Sequence, residues 1–281
     1  MTTIDDVLAD YPLPDSDSAR LDIELLLSFI LECDRVYLRA WPEKSVSEAH
    51  LQRFLLLYLR RKQGEPIAHI LGERAFWNLD LHVTPDTLIP RPDTEILIEH
   101  ALSLDLPSSS KVLDLGTGTG AIALSLASER PNWQVLATDR FPDVLALAKK
   151  NAQLNDLDQV EFLCSAWFEK ITETDFNLIV SNPPYIDASD PHLSVGDVRF
   201  EPVSALVAGN KGLSDIEEII EGSKGYLISG GWLVLEHGYQ QAEAVRLLFS
   251  ESGYLHINTV QDYGGQDRVS YGQLISENFS A

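Results

Sequence analysis

From Lys111 onward the chain alternates short continuous apolar runs with helix-period segments, and this rhythm limits the possible folds more than any other feature. Val112-Leu113-Asp114-Leu115 reads as a buried strand, followed by a glycine-rich turn and a helix over Ala121–Glu129. Trp133–Asp139 is a second strand, with a helix from about Pro142 to Leu154. Val160–Leu163 and Phe176–Val180 supply a third and a fourth strand. A helix near Ser214–Ile228, a strand at Gly231–Glu236 and a helix near Gln240–Glu251 follow, then strands near Tyr254–Val260 and Arg268–Leu274. Strands that are apolar throughout belong in a parallel sheet covered by helices on both faces. The last two strands are joined through Tyr263-Gly264-Gly265 without a helix, so they pair antiparallel or stand apart.

The residues before this region have a different character. Leu21, Leu25, Leu26, Phe29 and Ile30 recur at helical spacing. Ser45-x-x-Glu48 has the form of a capping box and opens a second helix that runs to about Lys62, where Gly64 stops it. Phe76–Val83 alternates in the manner of a β-hairpin, Pro90-Arg91-Pro92 bounds a connection, and a helix spans about Asp93 to Leu104. The expected division is a helical substrate-recognition domain over 1–72, a hairpin and linker over 73–92, and an α/β domain over 93–281.

Composition narrows the function mainly by exclusion. The 281 residues carry a net charge of −22, with acids outnumbering bases in both halves, so the bulk field repels a phosphate backbone. No apolar run reaches membrane-spanning length, and the acidic N-terminus lacks the pattern of a signal peptide, so a cytoplasmic protein is expected. Cys33 and Cys164 read as small buried hydrophobes in a reducing compartment, and no metal site is expected.

Asp114-Leu115-Gly116-Thr117-Gly118-Thr119-Gly120 lies where the first strand hands over to a helix. Glycines there allow a sharp turn and close approach of backbone to a ligand, and open α/β sheets bind ligands at the carboxyl ends of their strands. The glycines fall at 116, 118 and 120, which misses the G-x-G-x-x-G spacing of dinucleotide folds and, with Asp114 before it, resembles the first motif of class I methyltransferases. Asp139 ends the second strand, where a carboxylate can accept hydrogen bonds from both hydroxyls of a ribose. An NAD enzyme uses an acid in the same way, so Asp139 does not choose the cofactor.

The fourth strand delivers Ser181-Asn182-Pro183-Pro184-Tyr185 to the same end of the sheet. An amide nitrogen is a poor nucleophile because its lone pair is delocalised into the carbonyl. The Asn182 side-chain oxygen and a nearby backbone carbonyl can accept both N–H bonds of a planar –NH₂ group and orient it. Pro183 and Pro184 remove competing donors and stiffen the backbone. Tyr185 offers a flat face to a planar group. Positioning then supplies most of the rate, and the acceptors stabilise the charge that develops on nitrogen. Amide and amino acceptors present the same –NH₂ and stay undivided at this point.

The chain resembles the bacterial peptide-chain-release-factor N5-glutamine methyltransferases of the HemK/PrmC type. The resemblance runs over roughly residues 60–275, through Gly64–Gly72, Phe76-Trp77, Leu88–Glu95, Asp114–Gly120, Ser181–Asp187, Asp197–Pro202 and Leu235–Gly238. It implies a class I methyltransferase fold: a Rossmann-like, mostly parallel seven-stranded sheet with an antiparallel last strand, preceded by a small helical domain and a hairpin. It implies that S-adenosylmethionine, leaving as S-adenosylhomocysteine, is bound by Gly116, Thr117, Gly118, Thr119, Gly120, Asp139, Trp167 and Asn182. Asn182, Pro183, Pro184 and Tyr185 become the substrate-binding and catalytic residues, acting on the glutamine of a Gly-Gly-Gln loop in release factors. The family often has Asp before the Trp167 position; Ala166 stands here, so weaker contact to the adenine is expected.

Other residues carry plainer expectations. Arg91 and Glu95 form a surface ion pair or help close the site, His237 is structural, and Phe76 and Trp77 belong to the core. Arg199–Pro202 lies in an irregular stretch expected to face the substrate. The competing functions are a nucleic-acid methyltransferase acting on adenine or guanine amino groups, a ribosomal-protein glutamine methyltransferase, and a non-catalytic interaction module. A monomer acting on protein, with no direct nucleic-acid contact and no membrane, is the expected state.

Overall fold

A computed structural model describes residues 2–275 of the chain. They form two compact units: the chain through Glu73 together with His192–Phe200, and Arg74–Pro191 together with the residues from Glu201 onward.

The first unit contains helices Ile4–Asp10, Ala19–Leu31, Arg35–Ala40, Glu48–Lys62 and Ile67–Leu71, packed around Val7, Leu26, Leu27, Leu38 and Phe54. The expected capping box at Ser45 does not form. Thr3 and Ser45 pair in an isolated antiparallel bridge, which holds Ser45 in extended backbone. The cap falls to Ser47, whose hydroxyl accepts the His50 N–H at 3.2 Å. Within this unit the Arg61 guanidinium donates to Asp22 at 2.7 Å and to Asp197 at 2.9 Å, pinning the late segment to the helices. Arg199 donates to the Gln63 carbonyl in the same unit.

The second unit begins within β1 (Glu73–Phe76), which forms a hairpin with β2 (Leu79–His82). Its sheet comprises β3 (Lys111–Leu115), β4 (Gln134–Asp139), β5 (Glu161–Cys164) and β6 (Phe176–Ser181). A two-residue pair, β7 (Ile186–Asp187) and β8 (Val207–Ala208), stands apart, and β9 (Leu227–Glu236), β10 (Leu255–Gln261) and β11 (Asp267–Leu274) complete the sheet. The order is β10-β11-β9-β6-β3-β4-β5, parallel except at β11, which runs antiparallel to both neighbours. The expected mostly parallel sheet is therefore present, with the last strand threaded between β10 and β9.

Successive residues of β3 point to opposite faces. Val112 packs with the helices Glu95–Ser103 and Ala121–Glu129 on one side, while Leu113 and Leu115 meet Ile216, Ile219, Val245 and Phe249 on the other. One helix is shorter than its periodicity suggests: it covers Ser214–Ser223, and β9 begins at Leu227. The Tyr226 carbonyl accepts the Phe176 N–H at 3.0 Å, so Tyr226 and Leu227 are recruited to the edge of β6 and the helix must end before them. Phe76 is buried in the core and Trp77 packs against it, while Cys33 and Cys164 are free thiols and only half-buried. Among the described residues no helix is long and apolar enough to cross a membrane.

The chain runs outward from β3 through β4 to β5 in one direction and through β6 to β9 in the other. The switch point lies between β3 and β6, where Leu115 pairs with Ser181 and the Ser181 hydroxyl donates to the Leu115 carbonyl at 2.7 Å. Ligand crevices of open α/β sheets form at such a point.

Candidate active site

The turn after β3 is held from both sides. The Thr117 N–H donates to the Thr138 carbonyl on β4 at 2.8 Å, so the backbone leaves the sheet sideways. Gly116 has φ +71°, and a β-carbon there would lie 3.3 Å from the Trp167 ring. Asp114 is wholly buried beneath the turn; one carboxylate oxygen accepts from the Thr117 hydroxyl at 2.6 Å and the Ala123 N–H at 3.2 Å. Its other oxygen has no hydrogen-bond partner among the described residues. Burial pushes the Asp114 carboxyl up to about 7. Gly120 caps the following helix at φ +88°, where a β-carbon would lie 3.0 Å from the Leu124 side chain.

Asp139 closes β4 with both oxygens committed to backbone donors, Gly118 N–H at 3.1 Å and Phe141 N–H at 3.0 Å. Burial raises its pKa, and the two N–H groups work against that shift. A cavity of about 250 Å³ opens here, with Gly116, Thr117, Gly118, Thr119, Asp139, Phe141, Ala166 and Trp167 on its wall beside Asn182 and Pro184. Gly120 is the one residue of the turn that stands off this wall and serves the helix start instead. Trp167 adopts φ 39°, a left-handed conformation that an aromatic residue rarely takes, and Ser165 fixes the bend by donating to the Trp167 carbonyl at 3.1 Å. Thr87, Leu88, Pro90 and Thr94 line the cavity as well, as do Ser204, Ala205 and Val207.

The tetrapeptide divides its tasks. Asn182 and Pro184 reach the cavity, Pro183 is buried, and Tyr185 is half-buried with its hydroxyl turned inward. Asn182 donates from Nδ2 to the Thr94 hydroxyl at 3.2 Å, which leaves Oδ1 as its acceptor for a group from outside. The Tyr185 hydroxyl donates to Glu236 Oε1 at 3.2 Å, and the Tyr185 carbonyl accepts from Gln241 at 3.0 Å. Burial and the nearby Glu236 push the tyrosine hydroxyl well above its usual range. Glu236, at the end of β9 and 1% exposed, is itself pushed up to about 7 by burial, with Thr94, Arg268 and Tyr185 opposing the shift.

Arg91 and Glu95 do not pair. Arg91 donates to Glu201 at 2.6 Å, and Glu95 accepts the Trp77 N–H at 3.3 Å. His237 is structural, as its sequence context suggests: its ring bonds the Gly238 carbonyl at 2.9 Å and the Ser270 hydroxyl at 2.8 Å, and burial lowers its pKa. Thr94 and Glu236 lie inside the Leu88–Glu95 and Leu235–Gly238 stretches, whose sequence assigns neither a role. The available signal was an acid ending the fully apolar run Leu233-Val234-Leu235, a place where a carboxylate must find partners.

A glycine turn on β3, an acid ending β4 and Asn-Pro-Pro-Tyr at the switch point define a methyltransferase of the class I architecture. The family described as methyltransferase small domain matches residues 92–203, and that described as PrmC N-terminal domain matches residues 12–72. A crystal structure of a methyltransferase from Pyrococcus furiosus shares the fold at a TM-score of 0.55 and 19% identity, over 72% of this chain and 92% of that one. The release factor glutamine methyltransferase of Pseudomonas aeruginosa is 54% identical, over 97% of this chain and 99% of its own length. That of Aliivibrio fischeri is 52% identical over 95% and 94%. The chain belongs to the release factor glutamine methyltransferase family.

Proposed function

We propose that this chain transfers a methyl group from S-adenosylmethionine to the side-chain amide nitrogen of the glutamine in the Gly-Gly-Gln loop of release factors. The observation that carries the reading is Asn182, on the cavity wall beside the glycine turn with its Nδ2 tied to Thr94 and its Oδ1 left to accept. The residues fit the cofactor. Asp139 presents a carboxylate at the cavity wall, Phe141 and Trp167 give flat apolar faces for a base, and Asp114 keeps an unpartnered buried oxygen below the turn.

S-adenosylmethionine, when bound, supplies a methyl group on a sulfonium that needs no further activation. Asp139 would accept from the ribose hydroxyls, and the backbone at Gly116 and Gly118 would permit close approach. Asn182 Oδ1 and a backbone carbonyl of the tetrapeptide accept the two N–H bonds of the glutamine amide, aiming its nitrogen at the methyl carbon. Transfer would give the amide nitrogen its new bond to carbon at the expense of the donor's sulfonium bond, and the alkylated nitrogen would release a proton to water. The acceptors around that nitrogen stabilise its transient positive charge without a dedicated base. A net charge of −22 favours a protein substrate over nucleic acid and suits an enzyme acting on release factors in the cytoplasm.

The test is transfer of labelled methyl to release factor, to its Gly-Gly-Asn variant, to ribosomal protein and to RNA. Label on release factor alone, lost in the Gly-Gly-Asn variant, is expected. Label on RNA or ribosomal protein with none on release factor overturns the assignment.

A further inference from the structure

The helix Pro142–Leu154 turns a buried polar side chain toward the hairpin. Asn151 is 0% exposed, and both ends of its amide are engaged. Its Oδ1 accepts the His82 N–H at 2.7 Å, while Nδ2 donates to the His82 carbonyl at 3.0 Å and to the Thr119 carbonyl at 2.9 Å. Four residues on, Asn155 repeats the pattern on Asp80: Oδ1 accepts its N–H at 3.2 Å and Nδ2 donates to its carbonyl at 2.8 Å. Residues four apart on a helix are about 6 Å apart along its axis. Alternate residues of a strand are separated by about 6.6 Å, so the two asparagines imitate a neighbouring strand along β2. The partners also fix the Asn151 amide, since the reversed group would set its oxygen against two carbonyls.

One bond separates Asn151 from Asn155. Asn155 spends its other N–H on the Asn151 carbonyl at 2.8 Å. Asn151 reaches the glycine turn instead, where it holds the Thr119 carbonyl while the Gly120 N–H donates to the Thr117 carbonyl at 2.8 Å, so both ends of that peptide plane are tied. The strand that Asn151 grips also leads to the cavity. After His82 and the buried Val83, Thr87 donates its N–H and its hydroxyl to the Thr84 carbonyl at 3.2 and 3.3 Å. That turn carries Asp86, Thr87 and Leu88 to the cavity wall. Two parts of the wall that are distant in sequence therefore share one amide as their anchor. Asparagine is a poor helix former and costly to bury, and an apolar residue would pack the helix on the hairpin without it.

We infer that Asn151 is a positioning residue for the S-adenosylmethionine site, setting the glycine turn and the Asp86–Leu88 segment at the spacing the cofactor needs. The inference rests on the cavity being the cofactor site. The experiment uses the full chain and compares the parent with Asn151→Ala, Asn151→Asp and Asn155→Ala by cofactor titration, urea unfolding and steady-state kinetics. Asn151→Ala should weaken S-adenosylmethionine affinity about 10- to 100-fold, the effect of buried hydrogen bonds lost beside a binding site. The cofactor KM should rise with it, while kcat on release factor at saturating cofactor stays within about threefold. Asn151→Asp keeps the shape and the acceptor for His82 but sets an oxygen against two carbonyls, so its loss should be at least as large. Asn155→Ala breaks the outer rung alone; it should lower the urea midpoint and leave cofactor affinity within about twofold, a split that a merely structural role of the ladder would not give. In the parent, S-adenosylmethionine should slow amide hydrogen exchange across residues 82–88 as well as 116–120. Parental affinity in the Asn151 variants, an equal loss in Asn155→Ala, or unchanged exchange over 82–88 would overturn the inference, and the exchange measurement decides it even where an Asn151 variant does not fold. A parent that binds no S-adenosylmethionine would instead overturn the reading of the cavity, so the two failures are distinguishable.

Discussion

Arg91 donates to Glu201 at 2.6 Å from 110 residues away, and the Glu201 carboxylate is entirely shielded from solvent. Its other oxygen accepts the Ile89 N–H at 3.0 Å, so one buried acid ties down the segment that carries Leu88 and Pro90 to the cavity. Glu201→Ala leaves a guanidinium and a buried N–H without their partner, a change that costs about 3–5 kcal/mol. Urea unfolding should show that loss as a lower midpoint. Glu201→Gln, which keeps an acceptor for one of the two donors, should fall between.

Asn182→Ala removes the acceptor that aims the substrate amide while leaving the glycine turn and Asp139 untouched. Single-turnover kinetics should show transfer slowed roughly 10²–10³-fold, as for loss of one preorganised polar contact at a reacting centre. Binding of S-adenosylmethionine should change far less.

Asp139→Ala acts on the opposite side of the site. It deletes the proposed ribose acceptor and also frees the Gly118 and Phe141 N–H groups that shape the turn. Isothermal titration should give cofactor affinity weaker by about 10- to 100-fold, the range for hydrogen bonds to a charged group. Asp139→Asn, which retains one carbonyl oxygen, should lose less.

Gly116→Ala meets two obstacles. The left-handed φ of +71° costs an L-residue about 1–2 kcal/mol. The new methyl group would also stand 3.3 Å from the Trp167 ring, which must give way. Calorimetry should show a lower Tm, and cofactor titration a weaker site, because Trp167 shares the cavity wall.

Asp114 makes folding stability depend on pH in a definite direction. Its folded pKa is raised by burial to about 7, above the ordinary aspartate value that the unfolded chain shows. Below that ordinary value the group is neutral in both states and no penalty applies. As pH rises toward 7 the unfolded chain ionises first, so the folded state loses stability across this window. Asp114→Asn removes the slope. Urea midpoints of the parent minus those of the variant should therefore decline between about pH 4 and pH 7 and level off above it.

The sequence by itself determined much of what depends on neighbours along the chain. Apolar runs alternating with helical periods imply a doubly covered parallel sheet. The spacing of Gly116, Gly118 and Gly120 marks the turn, and Asn182–Tyr185 marks the strand end that faces it. These signals are legible because backbone conformation and strand burial are set locally.

Partnerships across long stretches of chain were decided only in three dimensions. Arg91 finds Glu201 instead of Glu95, and Ser47 takes the cap because Ser45 is drawn into a bridge with Thr3. β11 inserts between β10 and β9, and residues 192–200 join the helical unit through Asp197 and Arg61. Periodicity tells a side chain that it is buried, but the partner of a buried charge depends on which distant segment the closed fold brings against it. Thr94 and Glu236 show this most clearly: each sits in a recognisable motif, and only the closed fold brings Thr94 against Asn182 and Glu236 against Tyr185.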